Sequence, residues 1–321
     1  MKVRVLVALG VLFAACGPND TGASTGDVHA LVTPGSASLP VTVNSADGRR
    51  VTVRDTRRII PLWDNIAEVV FALGLGDHVV ARDTSTTFAQ ARKLPLVTRA
   101  HDVTAESVLS LRPTLILADE QSGPPEALRQ IRDIGVPVVV FRRPTNVEEI
   151  PAQIRRIATA LGVKKAGVEL ADKATADIDA VREGLPSNAR KPRVAFLYIR
   201  GNAGVSLIAG PGSGVDSMIK AAGGSDAGTA IHLANPFTPL TSEALVKAQP
   251  DVILMTTTGL KSVGGVNGLL DVPGVAQTPA GRDRRIVTME DGLLFSFGTR
   301  TAHALRTLSA EFYKSASSKA P

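Results

Sequence analysis

Apolar residues in this chain fall into short runs that alternate with stretches of helical spacing, and the alternation begins at Arg58. Ile59 to Leu62 has the length of a buried strand, and Ile66, Val69, Val70 and Leu73 then share one face of a helix closed by Gly74 and Gly76. Val79 to Ala81 starts another strand. Thr104 is placed to cap a helix running to Leu111, and Thr114–Leu117 follows as a strand. Pro125 to Ile134 reads as a helix ended by Gly135, and Val136–Phe141 as a buried strand. Strand and helix in alternation predict a parallel sheet with helices on its faces.

Asn146 to Leu185 breaks the rhythm with helical spacing and no strand signal. Pro151 lies in its first turn, where proline is tolerated, and Gly162 weakens its middle, so one helix or two are expected there. A connection of this length is unusual inside one domain and reads as a helical spine between two lobes. From Arg193 to Ile199 the alternation resumes, with helices over Val215–Ala222, Thr241–Ala248 and Thr299–Tyr313 and strands over Val252–Met255 and Ile286–Thr288. The halves echo each other. Thr104-Ala-Glu106 leads to Pro113 and Thr-Leu-Ile-Leu, and Thr241-Ser-Glu243 leads by the same spacing to Pro250 and Asp-Val-Ile-Leu. The fold expected is α/β: two related lobes joined by the spine, with a ligand cleft between them.

The N-terminus carries an address. Lys2 and Arg4 precede the apolar run Val5–Phe13, and Ala14 and Ala15 stand before Cys16. This is the layout of a secretory signal peptide, and a cysteine directly after the cleavage site is the usual acceptor for a lipid anchor. The run is too short to span a bilayer, which takes about 20 apolar residues. The expected order is a signal peptide over 1–15 and a lipid-anchored flexible tether over 16–47. An N-terminal lobe over 48–145, the spine over 146–185, a C-terminal lobe over 186–315 and a tail over 316–321 follow. The product is extracytoplasmic and tethered to the outer face of the cytoplasmic membrane.

Composition narrows the chemistry. Cys16 is the single cysteine of the 321 residues, so no disulfide forms and no thiolate remains for metal or nucleophilic work. A formal charge of +6 invites a nucleic-acid reading, but the basic residues are scattered and aromatics make up 4% of the chain. Gly210-Pro-Gly212-Ser-Gly214 lacks the Gly-Lys-Ser/Thr ending of a phosphate loop and reads as a glycine turn. No hydrolase motif is present, and no enzyme is expected.

Phe196-Leu-Tyr198-Ile-Arg200 lies on an expected strand, where Phe196, Tyr198 and Arg200 share one face. A cation beside a phenol favours its ionised form, and tyrosinate is a ligand for ferric haem iron. On composition alone the same residues read more readily as a core tyrosine with an arginine at a strand end. His101, in a loop before the Thr104 helix, is placed for a second, imidazole ligand or for simple solvation.

Taken together, Ala72-Leu-Gly-Leu-Gly-Asp77, the Thr-x-Glu repeats, Gly214-Val-Asp216 with Gly223-Gly224, and Ser296-Phe-Gly-Thr-Arg300-Thr resemble the substrate-binding lipoproteins of bacterial iron-chelate, haem and cobalamin ABC importers. The resemblance spans about Val41 to Tyr313 and is strongest to the HmuT-type haemin-binding lipoproteins. It implies that haem b (iron protoporphyrin IX) is held between His101 of the N-lobe and Tyr198 of the C-lobe, with Arg200 bonded to the tyrosine. It also implies delivery to a permease and ATPase complex by a monomer. Phe88 stands where some relatives carry a ligand tyrosine and is expected against the porphyrin, with Arg142, Arg143 and Arg300 as further cleft contacts. Glu68 and Asp216 match positions that dock to permease arginines. Ferric-siderophore or cobalamin binding on the same scaffold, or a non-transport lipoprotein, are the alternatives.

Overall fold

The structure, a computed structural model, describes residues 27–99 and 102–314. Cys16, the leader and His101 therefore lie outside the described residues. β1 (Val41–Asn44) and β2 (Arg50–Val53) form an antiparallel hairpin. β3 (Ile59–Pro61) runs into α1 (Asp64–Ala72), and β4 (Thr98–Arg99) pairs antiparallel with β5 (Asp102–Val103). α2 (Ala105–Leu109), β6 (Leu115–Asp119), α3 (Pro125–Asp133) and β7 (Val138–Phe141) complete the first lobe. Its sheet is parallel in the order β3-β6-β7. The strand expected at Val79–Ala81 shrinks to one parallel bridge between Ile59 and Val79, where the chain touches the sheet edge and leaves it again.

The spine is two helices, α4 (Ile150–Ala160) and α5 (Lys164–Glu183). Gly162, at φ +75°, takes the left-handed conformation that ends α4. A Cβ on Gly167 would lie 2.2 Å from that of Ala158, so glycine lets α5 lie close on α4. α4 packs on α1, β1 and β7, whereas α5 packs on the last helix of the chain. The lobes are therefore bridged by a helical pair.

In the second lobe β8 (Arg193–Arg200) is the hub. β9 (Val205–Ala209), α6 (Val215–Ala221), β10 (Ser225–Asp226), α7 (Ala227–Ala230) and β11 (Phe237–Pro239) follow it. Next come α8 (Ser242–Ala248), β12 (Val252–Thr256), α9 (Thr257–Ser262), α10 (Gly265–Leu270) and α11 (Pro279–Arg282). β13 (Ile286–Met289), α12 (Asp291–Phe295) and α13 (Thr301–Tyr313) close the lobe. β8 pairs parallel with β12 and antiparallel with β9, giving the order β11-β9-β8-β12-β13. The all-parallel expectation fails at the β9/β11 edge, because a short connection from Arg200 turns the chain straight back.

Alternate residues of each central strand enter different cores, as strand geometry demands. Leu115 and Leu117 of β6, and Val194 and Phe196 of β8, join one apolar core that runs through both lobes and the spine. Ile116 and Ala118 face a separate core of the first lobe, and Ala195, Leu197 and Ile199 one of the second. The shared central core fixes the two walls of the cleft relative to one another.

The flexible tether expected over 16–47 is corrected for its described part. Val28 and Val32 are buried in the shared core, and the Leu31 and Ser38 amides donate to the Ala72 and Gly162 carbonyls at 2.8 and 2.9 Å. Two valines in a polar stretch carry no period, yet they cover the open end of α1.

Candidate functional site

The carboxyl end of β8 carries Tyr198 and Arg200 onto the wall of a cavity of about 680 Å³ between the lobes. Small-molecule sites occupy roughly 300–1,000 Å³. Tyr198 is half-buried, with Phe237 of β11 and Phe295 of α12 edge-on at ring separations of 6.3 and 6.4 Å. The Arg200 guanidinium lies over the Tyr198 ring, 4.5 Å from its centroid. Asp291 accepts from its Nη2, and Thr256 Oγ1 accepts from its Nη1 at 2.9 Å.

The opposite wall repeats the theme with different residues. Arg143, just beyond β7, stacks its guanidinium on Trp63, 3.7 Å from the ring centroid. Its Nε donates at 2.8 Å to Asp119, the last residue of β6, which is almost wholly buried. Each wall thus offers an aromatic ring covered by an arginine that a carboxylate holds in place. Gly212 to Gly214 line the cavity as well, and Gly214, at φ +84°, lets the Phe297 ring pass within 3.1 Å of where a Cβ would stand.

Beneath the cavity the lobes meet through charge. Arg300 donates from Nε to Glu68 at 2.8 Å and from Nη2 to Asp64 at 2.7 Å, with all three side chains closed to solvent. Glu68 also accepts from Ser296 Oγ at 2.5 Å and from the Arg300 amide at 3.0 Å. Burial, then the Glu68 charge, pushes the Asp64 carboxyl well above the usual carboxylate range. Burial opposes the charge on Arg300, but Glu68 and Asp64 outweigh it and hold the guanidinium above its ordinary value. The arrangement is a buried ion pair, Glu68 and Arg300, beside an acid that burial and Glu68 hold above its usual range.

Residues 59–293 match the family described as periplasmic binding protein. The chain belongs to that family. It is similar to the apo periplasmic heme-binding protein RhuT of Roseiflexus sp. RS-1, 43% identical over 82% of this chain and 100% of that one, with a TM-score of 0.77. The heme binding protein HmuT is 35% identical, covering 91% of this chain and 96% of that chain at a TM-score of 0.82. The uncharacterized ABC transporter substrate-binding lipoprotein YvrC of Bacillus subtilis (strain 168) is 25% identical over 96% of this chain and 95% of its own length. The cobalamin-binding protein of Halobacterium salinarum is 26% identical over 68% of this chain and 59% of its own.

In this periplasmic binding protein the sequence-named residues separate sharply. Tyr198, Arg200 and Arg143 meet at the cavity. Phe88 does not: it is fully buried, edge-on to Phe71 at 5.1 Å, because its loop folds under the first lobe. Arg142 points away into an exposed groove with Arg155 and Arg156, since neighbouring residues in extended chain face opposite sides. Arg300 is no cleft contact, and Glu68 is no docking residue, because each neutralises the other inside the seam. Asp216 is half-buried and accepts from the Gly212 amide at 2.9 Å, holding the glycine loop.

Trp63, Asp119, Phe237, Phe295 and Asp291 escaped the sequence reading. Trp63 is the single tryptophan of the chain and stands just past the carboxyl end of a buried strand in the first lobe, as Tyr198 stands near the carboxyl end of one in the second, and that correspondence was the available signal. Asp291 gave none, because its partner lies 91 residues away.

Proposed function

We propose that this extracytoplasmic binding protein takes up haem in the cleft and delivers it to an ABC importer, without catalysing a reaction. The observation that carries the reading is Tyr198: a phenol on the cavity wall, framed by Phe237 and Phe295 and paired with Arg200. Aromatic edges suit a flat apolar macrocycle, and a phenolate beside a guanidinium suits ferric iron. The heme-binding proteins RhuT and HmuT, whose folds this chain shares, support the same ligand. His101 is proposed as the second ligand. The short β4–β5 segment that precedes and follows it is tied to the cavity wall, because Thr98 Oγ1 accepts at 2.8 Å from the amide of Thr84, which lines the cavity. Arg143 stands ready for an anionic edge of the ligand, such as a haem propionate.

Cys16 is proposed as the lipid anchor. For the permease, the repeats point to Glu106 and Glu243 in place of Glu68. Both are exposed in the first turns of α2 and α8, and each follows a threonine whose Oγ1 caps its helix at 3.1 Å. One exposed acid per lobe in equivalent frames suits a two-armed partner with paired basic sites.

Titrating the purified protein with haemin tests the ligand. A shifted Soret band with a tyrosinate-to-iron charge-transfer band is expected, and the latter disappears in Tyr198→Phe. Cobalamin, favoured by the cobalamin-binding relative, is the second reading. Tight cobalamin binding with an unchanged haemin spectrum would establish it instead.

A further inference from the structure

The end of the first lobe away from the cavity is basic. Arg58, Thr114 and Pro137 stand where β3, β6 and β7 begin, whereas the cavity wall is built just past where those strands end. An open groove of about 630 Å³ crosses this base, with Arg49, Arg50, Arg54 and Arg132 on its walls. Asp47 holds Arg132 at 2.6 Å and Arg49 at 3.7 Å, and Asp55 holds Arg57. Arg50, Arg54 and Arg112 are exposed and have no carboxylate partner among the described residues. Asp133, at the end of α3, offsets only part of that charge. Beside it Ile134 is 68% exposed, more than any other large apolar side chain among the described residues, and its neighbour Gly135 lines the groove. Cations around one apolar side chain suit a layer of anionic headgroups over hydrocarbon, whereas a free anion would leave Ile134 unused.

The described chain also starts on this base. Val28, His29 and Ala30 line a hollow with Asp77 and Val79. Between those two, His78 has its Nδ1 2.8 Å from the carbonyl oxygen of Thr56, the neighbour of Asp55 in the groove. Asp27 follows Cys16 by eleven residues, a reach of at most about 40 Å.

We propose that the arginine-lined base of the first lobe is a membrane-docking surface that rests on anionic phospholipid headgroups, with the cleft turned away from the bilayer. The inference rests on the reading of Cys16 as the lipid anchor. A short tether keeps the base at high effective concentration beside the bilayer, so a modest excess of cations is enough to orient the domain. In that orientation the cavity opens outward, toward arriving ligand. Glu106 and Glu243 lie at the other end, because the helices they begin lead back to the starts of β6 and β12. The domain must therefore leave the headgroups and tip over to meet the importer. Attraction between charges in water permits this, since it fades within a Debye length of about 8–10 Å.

The test places the lipid-modified protein in vesicles and reads energy transfer from a dye on the protein to an acceptor on the lipid headgroups. Cys16 is the single cysteine and carries the lipid, so one dye can be placed at Gln130→Cys near the base or at Glu120→Cys on the cleft side, both exposed. The vesicles are equal parts phosphatidylglycerol and phosphatidylcholine, or phosphatidylcholine alone. In the anionic vesicles, transfer from the base should exceed that from the cleft side at least about twofold, for a domain about 50 Å across. The excess should vanish in phosphatidylcholine, in about 0.5 M salt, and in an Arg50→Glu/Arg54→Glu protein that melts like its parent. Equal transfer from the two dyes overturns the inference and leaves the basic face to an acidic protein, and an excess that survives charge reversal overturns it too. A protein whose Cys16 carries no lipid by mass spectrometry overturns the anchor reading and this inference with it, whereas equal transfer from a lipid-modified protein overturns this inference alone.

Discussion

The carboxylate of Glu68 and the guanidinium of Arg300 meet 2.8 Å apart at the seam between the lobes, 232 residues apart in the chain and both closed to solvent. Glu68 belongs to the first helix of the first lobe, and Arg300 immediately precedes the last helix of the second. Their pairing, with the shared apolar core, makes the cleft a fixed feature of the fold.

Breaking the pair from either side leaves a buried charge without its partner. Glu68→Gln should destabilise the protein by about 3–5 kcal/mol, the range for removing one member of a buried ion pair. Chemical denaturation of the two proteins side by side measures it. A loss below 1 kcal/mol would mean that water reaches the seam.

Asp64 should behave in the opposite way. Its carboxyl is held above the usual range by burial and by Glu68, so the folded chain binds a proton there that the unfolded chain releases above about pH 4. Stability from this group is full below the unfolded value and falls as pH rises through the raised folded value. Asp64→Asn mimics the protonated acid, so thermal unfolding of the variant should lose less stability between about pH 4 and 7 than wild type. A variant with the wild-type slope would refute the assignment of that proton.

Gly298 admits no side chain. A Cβ there would stand 2.2 Å from Glu68 Oε2 and 2.9 Å from Ser296 Oγ, so Gly298→Ala must push the buried carboxylate off its partners. A cost of about 1–3 kcal/mol is expected, as for other overpacked sites. The melting temperature should fall in Gly298→Ala and stay near wild type in Gly184→Ala, whose Cβ would meet nothing closer than 3.4 Å at an ordinary φ of −76°.

Arg143 and Trp63 offer a test at the other wall. Arg143→Ala should weaken haemin binding by about tenfold or more, as loss of a charge-assisted hydrogen bond does, while the tyrosinate band of Tyr198 persists. A lost band would mean that Arg143 acts on the iron site rather than on the ligand's edge. Fluorescence of Trp63, the single tryptophan, should quench as haemin enters.

Reversing Glu106 and Glu243 to lysine should leave haemin binding intact and abolish uptake through the importer. Titration and transport assays on one preparation separate the two effects. Unchanged uptake would remove both residues from the docking surface.

The sequence was sufficient for most helices and central strands, though not for the strand expected at Val79–Ala81 or for the antiparallel β9/β11 edge. Apolar runs of strand length, helical spacing, a threonine capping each Thr-x-Glu helix and the weak point at Gly162 are decided by neighbours within a turn or two. Tyr198 and Arg200 were legible for the same reason, since residues two apart on a strand must share a face. Other placements needed the tertiary structure. Glu68 looked like an exposed acid until Arg300 arrived across the seam, and Phe88 like a cleft contact until its loop folded under the first lobe. Arg142 and Arg143 are adjacent and chemically identical, and the side of the strand on which each leaves β7 separates an exposed groove from the cavity wall. Burial and charge pairing depend on partners tens to hundreds of residues away, and no local pattern encodes which partner comes.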